Sequence, residues 1–353
     1  MGFGADSAPL DPELTRLLGA PDQLVSVERL VREEGPGRGS PILVVRNPRG
    51  VSFEVLIDRA LDLGWADAKG LPLAWRALRG PVESSRYEPH GFGWTRTFGG
   101  GLLSTCGLSA TGMPSEVEGV HHGLHGRVGH IPAENVRWGL VVDGADLSVE
   151  ITGDVVEAAL GGPSLRLRRR IVASTVQPTL RVEDTVTNAG HSPAGHMFRH
   201  HLNLGYPLVG PGSTVDATAE PVGERDRASG APTTLPWVLD VASSADERET
   251  VLYCAPFSGP RATVSVTSPD GAWCEIEQST ATWPLLVLWR DARPGVNVLG
   301  VEPSTSRDGG RAQAEHDAEV IWLGPGESRH YTTVVRVGLG DTARPAPSLR
   351  KSG

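Results

Sequence analysis

The sequence predicts an all-β fold, and three observations carry that reading. The 353 residues include 44 glycines and 28 prolines, the two residue types that most disfavour a helix interior. Short runs alternate apolar and polar side chains with the two-residue period of a half-buried strand. Turn signals separate these runs, and after residue 20 no stretch shows a long helical period, which favours a sandwich or barrel over an α/β alternation.

The elements follow in chain order. Asp11 suits a helix cap, Pro12 the first helical position, and Leu14, Leu17 and Leu18 share one face before Gly19, so a short helix is expected within an N-terminal extension of residues 1–24. The main domain is expected to span 25–340. Pro41 to Arg46 and Val51 to Ile57 flank the turn Asn47-Pro48-Arg49-Gly50, a hairpin signal. Further strands are expected at Leu147–Thr152, Ser164–Ala173 and Thr179–Asn188. In the last, Leu180, Val182, Asp184 and Val186 share one face. Residues 223–249 are polar and rich in Gly, Pro, Ala and Asp, and read as a surface excursion. Beyond them come strands at Thr250–Ala255, Ala262–Ser268, Leu285–Trp289, Val320–Leu323 and Tyr331–Val337. Residues 341–353 form a tail that is expected to fray.

The formal net charge is −9, which disfavours nucleic acid and anionic membranes as partners, since both attract a basic surface. Three unclustered cysteines, Cys106, Cys254 and Cys274, form neither a disulfide framework nor a zinc knuckle. The first residues lack the basic start and apolar core of a signal peptide, and no apolar run has the length of a membrane-spanning helix. The expectation is a soluble, cytoplasmic protein.

Four clusters combine reactive side chains with turn chemistry. Asp58-Arg59-Ala60-Leu61-Asp62-Leu63-Gly64 sets two carboxylates and an arginine at a strand end and reads as a surface ion pair. His121, His122, His125 and His130 crowd ten residues, beside Arg127. His121 and His125 have the spacing of a helical zinc pair, but Gly123, Gly126 and Gly129 break a helix there, so no metal is expected. In the run His196 to Pro207, strand geometry puts His201, Asn203 and Gly205 on one side and His200, Leu202 and Leu204 on the other. A face of His and Asn suits a binding cleft. Finally, Glu302 ends an apolar run, and Pro303 fixes the chain direction just after it. Trp289, Trp94 and Phe92 are candidates for an aromatic platform in the cleft, Trp289 foremost, and Arg59, Arg127 and Arg199 are candidates for positive charge there.

In order and spacing, these clusters resemble the aldose 1-epimerase (galactose mutarotase-like) superfamily, most nearly a poorly characterised bacterial subgroup. The likeness spans roughly residues 25–340 and includes the closing Trp322-Leu323-Gly324-Pro325-Gly326-Glu327. It implies a large, twisted antiparallel β-sandwich with a sugar cleft open on one sheet face. It further implies that His201 acts as general acid, that Glu302 acts as general base, that His125 binds the sugar, and that Arg59 falls near a substrate-binding arginine. The family's sugar-binding aspartate has no clear match.

The chemistry fits these roles. Opening a cyclic hemiacetal takes a proton from the anomeric hydroxyl and gives one to the ring oxygen, so one base and one acid suffice and no cofactor is required. The histidine is expected to need a neighbouring carboxylate to raise its pKa. The expected function is interconversion of sugar anomers. The alternatives are a carbohydrate-binding protein without turnover, and a metal-assisted sugar isomerase or lyase using His121, His125 and His200 or His201.

Overall fold

Alternation decides the architecture. In Thr179–Asn188 every second side chain is buried, and this segment forms a strand of those same bounds. Ser164–Ser174 and Val51–Leu56 alternate similarly and pair with their neighbours as antiparallel strands. A computed structural model describes residues 16–143, 146–225, 235–242, 244, 246, 249–257 and 259–340. The helix expected from Asp11, the tail beyond residue 340 and much of the polar excursion lie wholly or partly outside these residues.

Among the described residues, two large antiparallel sheets, of twelve and nine strands, make up the sandwich. The middle of the first runs in spatial order Asp62–Ala68, Leu103–Leu108, Ala194–Leu204, Val298–Ser304, Leu285–Asp291 and Thr250–Phe257. The centre of the second includes Trp273–Ser279, Ser328–Gly338, Thr179–Asn188 and Ser164–Ser174. Phe53, Leu103, Leu202 and Val301 of the first sheet pack with Ile151, Ile171, Leu180 and Val335 of the second in one continuous apolar core. Burial of this kind contributes roughly 25 cal/mol per Å² of apolar surface and is the main force joining the sheets.

Some strands carry no alternation for a reader to find. Leu103–Leu108 is buried at every position, because its sheet is covered on both faces there. The strand Ala194–Leu204 is likewise buried throughout. One helix of seven residues, Gly310–His316, follows the loop after Glu302, too short to show a period. No helix among the described residues is long and apolar enough to cross a membrane.

The expected surface ion pair at residues 58–62 is corrected. Asp58, Arg59 and Asp62 are all buried. Ser40 and the Ser84 amide donate to Asp58, and Thr105 donates to Asp62 from both its amide and its hydroxyl. The chain doubles back sharply between the strands on either side of this segment, with Ala60 and Leu61 at positive φ, and this turns the carboxylates inward.

Candidate active site

The site is built across two neighbouring strands. In their antiparallel register Arg199 faces Ser304 and Leu202 faces Val301, which sets His201 opposite Glu302. His201 Nε2 lies 3.3 Å from Glu302 Oε1, and both side chains are buried. Next in the sheet, Trp289 is paired with Gly300. A Cβ on Gly300 would come within 2.6 Å of Glu302 Oε1 and 3.0 Å of the Trp289 ring, so glycine is what lets carboxylate and indole occupy this face together.

Aromatic rings enclose the pair. Around the His201 ring stand His125 at 5.6 Å, Trp289 at 5.4 Å, Phe98 at 5.6 Å and Trp94 at 6.3 Å, between centroids. Trp94 stacks on Phe98 and meets His125 edge-on. His125 has φ +58° and is tied by its amide to the Gly112 carbonyl and by its carbonyl to the Gly107 amide. The next residue, Gly126, packs so tightly on the Ala110 and Gly107 carbonyls that a Cβ there would lie 2.2 Å from the first. The glycines of the histidine cluster thus hold a loop close against the sheet and aim one histidine at the site.

An ion network continues from Glu302. Arg199 Nη1 donates to Glu302 Oε2 at 2.8 Å and contacts Asp308 Oδ1, while its Nε and Nη2 are bound by Ser304 Oγ and the Ser306 carbonyl. Arg225 bridges Asp308 at 3.2 Å and Glu249, and Glu249 also accepts from the Trp289 indole at 2.8 Å. Arg225, Glu249 and Asp308, with Phe92, Met113 and Tyr253, line a cavity of about 590 Å³. Arg225, Glu249 and Asp308 therefore form part of the cavity wall, and Arg199 joins that wall to Glu302, which does not itself line the cavity.

Burial sets the protonation of the pair. It pushes Glu302 up to about 8, against the pull of Arg199 and with the help of Asp308. It pushes His201 down to about 3, and the Arg199 charge adds to the effect. His125 is driven well below the ordinary histidine value by burial, Arg199 and His201. The carboxylate help that the histidine needs falls short: Asp308 raises His201, but desolvation and Arg199 outweigh it. Nδ1 of His125, Nδ1 of His201 and Oδ1 of Asn203 are buried and have no hydrogen-bond partner in the protein.

Of the residues read from the sequence, the structure brings together His201, Glu302, His125, Trp289 and Asn203, along with Trp94 and Arg199. Asn203 stands beside His201, but its amide nitrogen is committed to the Gly101 and His201 carbonyls, leaving only its oxygen for other use. Phe92 is more than half exposed and sits in the cavity wall. Arg59 is engaged elsewhere, donating to the Val82 carbonyl and lying beside Asp58 and Asp62. Arg127 is exposed, at the start of a short turn that carries His130.

The other histidines disperse. His121 lies exposed on a small hairpin against Glu116, and His130 is buried between Thr97 and Tyr87. His200 faces the other sheet, where it binds Asp184 and Thr333. The set that a metal-assisted reaction requires is therefore not brought together. Asp308, Arg225, Glu249, Phe98 and Tyr253 were not foreseen. A charged residue before Gly309-Gly310, soon after Glu302, was a usable signal for Asp308. Arg225 and Glu249 sit at the two ends of the polar excursion, where composition suggested only surface.

Two stacked antiparallel sheets with a polar cluster on the outer face of one are an architecture shared with solved mutarotase-like proteins. The chain belongs to the family described as Domain of unknown function (DUF4432), whose model matches residues 37–337. No curated protein matches the sequence. Among solved structures, a candidate aldose 1-epimerase of Klebsiella pneumoniae is 24% identical with a TM-score of 0.82, over 91% of this chain and 86% of that one. A galactose mutarotase-like protein from Clostridium acetobutylicum is 11% identical with a TM-score of 0.60, over 89% of this chain and 99% of that one. The galactose 1-epimerase of Lactobacillus acidophilus is 14% identical with a TM-score of 0.55, over 90% and 99%. At these identities the likeness establishes the fold alone.

Proposed function

We propose that the protein is an isomerase of the aldose 1-epimerase type, interconverting the anomers of a sugar by opening and reclosing its ring. The observation that carries this reading is the His201–Glu302 pair, set on adjacent strands 3.3 Å apart among aromatic rings and linked through Arg199 to Asp308 in the wall of a cavity. The anomeric hydroxyl and the ring oxygen share one carbon, so the groups that serve them must be near neighbours.

Between pH values near 3 and 8 the pair holds one proton, resting on Glu302. Shifting it across the contact to His201 leaves a carboxylate base and an imidazolium acid. Glu302 then takes the proton of the anomeric hydroxyl, and His201 protonates the ring oxygen as the C–O bond breaks. Rotation of the aldehyde and reversal of the transfers close the other anomer, and the pair ends with the proton it began with. The buried polar atoms of His125, His201 and Asn203 that lack protein partners support a ligand here, since such atoms are costly unless something binds them.

The test is NMR of freshly dissolved single anomers across neutral, acidic and phosphorylated sugars. Acceleration by the wild-type protein, and its loss in Glu302→Gln, is the expected result. A panel in which no sugar anomerises faster than in buffer, while one binds, would favour the non-catalytic alternative.

A further inference from the structure

The guanidinium of Arg199 is shared. Its Nη1 serves Glu302 and Asp308 at once, and its remaining nitrogens are bound by Ser304 and Ser306, so its charge is divided between the two carboxylates. Ser304 Oγ itself donates to the Ser306 carbonyl, which stiffens the loop that carries the acceptors. Asp308 is held in turn from three sides. Arg225 reaches its Oδ2, its amide contacts the Tyr253 hydroxyl, and its carbonyl accepts from the Met113 amide. A Cβ on Gly112 would come within 2.6 Å of that carbonyl, so the loop leading to His125 closes tightly over Asp308.

Resting on the acid–base reading of Glu302, we propose that Asp308 and Arg225 are positioning residues with opposed effects: Asp308 draws Arg199 away from Glu302, Arg225 draws Asp308 away from Arg199, and together they decide how firmly Glu302 is held as a carboxylate. The charged and titratable groups facing Glu302 are few. Arg199 and His201 come from its neighbouring strand, Cys106 from the strand beyond, Asp308 from the loop after Glu302 and Arg225 from across the cavity wall. On its other side the sheet presents Val287 and Trp289, which do not titrate. Of these groups, Asp308 opposes the Glu302 charge, and Arg199 and Arg225 favour it. A guanidinium bound to Glu302 alone would weaken its carboxylate as a base and strip the pair of its shared proton near neutral pH. Dividing that guanidinium between two carboxylates leaves Glu302 able to take and return a proton.

The experiment is a pH titration of the Glu302 carboxyl by NMR in protein carrying ¹³C-labelled glutamate, its signal assigned by its loss in Glu302→Gln. Asp308→Asn removes the competing anion and should lower the Glu302 midpoint by roughly one unit or more. Arg225→Gln lets Asp308 lean harder on Arg199 and should raise it. The upper limb of the pH–rate profile should move with each midpoint, and Asp308→Glu should restore both. A purely structural role would move the two variants in the same direction or not at all, and either result in folded protein overturns the proposal. Retained anomerisation by Glu302→Gln would sink the acid–base reading instead, while the titration, which needs no turnover, still judges the opposed effects.

Discussion

The two faces of the strand Ala194–Leu204 carry nearly the same chemistry and put it to different ends. On the face towards the second sheet, His200 meets Asp184 at 2.7 Å and Thr333 at 3.0 Å. Arg169 clasps Asp184 with two nitrogens and reaches Thr105 and the Ala60 carbonyl with the third. Every nitrogen of the two side chains is engaged. On the outer face, one residue along, His201 meets Glu302, and Arg199 divides itself between Glu302 and Asp308. Here Nδ1 of His201 and of His125 and Oδ1 of Asn203 have no partner. An unmet buried polar group costs roughly 1–3 kcal/mol, so the outer network gives up stability that the inner one keeps. Histidine, arginine and carboxylate in a buried cluster do not by themselves mark a site; incomplete satisfaction beside a cavity does.

The largest expected effect tests the outer face. Glu302→Gln keeps the size and much of the hydrogen bonding but removes the proposed base, and His201→Asn removes the proposed acid. Each should cut turnover by roughly 10²–10⁴-fold, with thermal stability near wild type. Their combination should cost less than the product, because each transfer depends on the other. Near-normal turnover in Glu302→Gln would erase the contrast between the faces.

The inner face should answer in stability instead. Asp184→Ala strands Arg169 in the core and should cost roughly 3–5 kcal/mol in denaturant unfolding. Burial opposes the Asp184 charge, but Arg169 and the hydrogen bonds from Arg169 and His200 hold the carboxyl down to about 2. A carboxylate depressed on folding stabilises fully above its unfolded value and loses that contribution as pH falls towards the folded one. Wild type should therefore weaken between pH near 4 and 2 with a slope that Asp184→Ala lacks. If the variant unfolds no more easily than wild type, the inner network is not the structural one.

A smaller effect is expected in pH dependence. The one-proton form of the outer pair is lost as Glu302 ionises at about 8. Turnover should fall about fifteenfold between pH 8 and pH 9.5 if loss of that proton controls the rate. A rate flat to pH 10 would mean that Glu302 works from its ionised form and that the resting proton lies elsewhere.

The same contrast explains what was legible beforehand. Alternation exposed Thr179–Asn188 and Val51–Leu56 because one side of each meets the core and the other is only half-buried. It failed at Leu103–Leu108, where both sides are buried and no pattern remains. His201 and Asn203 were readable because strand parity assigns faces without a structure, whereas Glu302 was read from its place at the end of an apolar run and from the family resemblance. Parity does not say which face meets the core, so the role of His200 stayed hidden. Arg225 and Glu249 were out of reach for another reason: they enter the site from the ends of the polar excursion, where sequence separation carries no geometric meaning. Arg59 was misplaced because its neighbours fix only a sharp reversal of the chain, whose interior or exterior position depends on packing by Val82 and Ser84 far along the sequence.

The smallest expected effect concerns Trp289. Its indole stands edge-on to His201, its nitrogen donates to Glu249, and its ring borders the apolar cluster of Val251, Tyr253, Leu285 and Val287. It can therefore serve as a platform for the C–H face of a sugar, as a clamp on Glu249, or as packing. Three readouts separate these roles. A platform predicts that Trp289→Ala weakens sugar binding by roughly three- to tenfold, the scale of one aromatic contact, and that Trp289→Phe retains most of the affinity. A clamp predicts that Phe fails as badly as Ala, because the bond to Glu249 goes in both. Packing predicts lower unfolding stability with affinity unchanged in the folded fraction, and that outcome would remove Trp289 from the outer-face site and leave Trp94, stacked on Phe98 beside His125, as the remaining ring for the sugar to rest on.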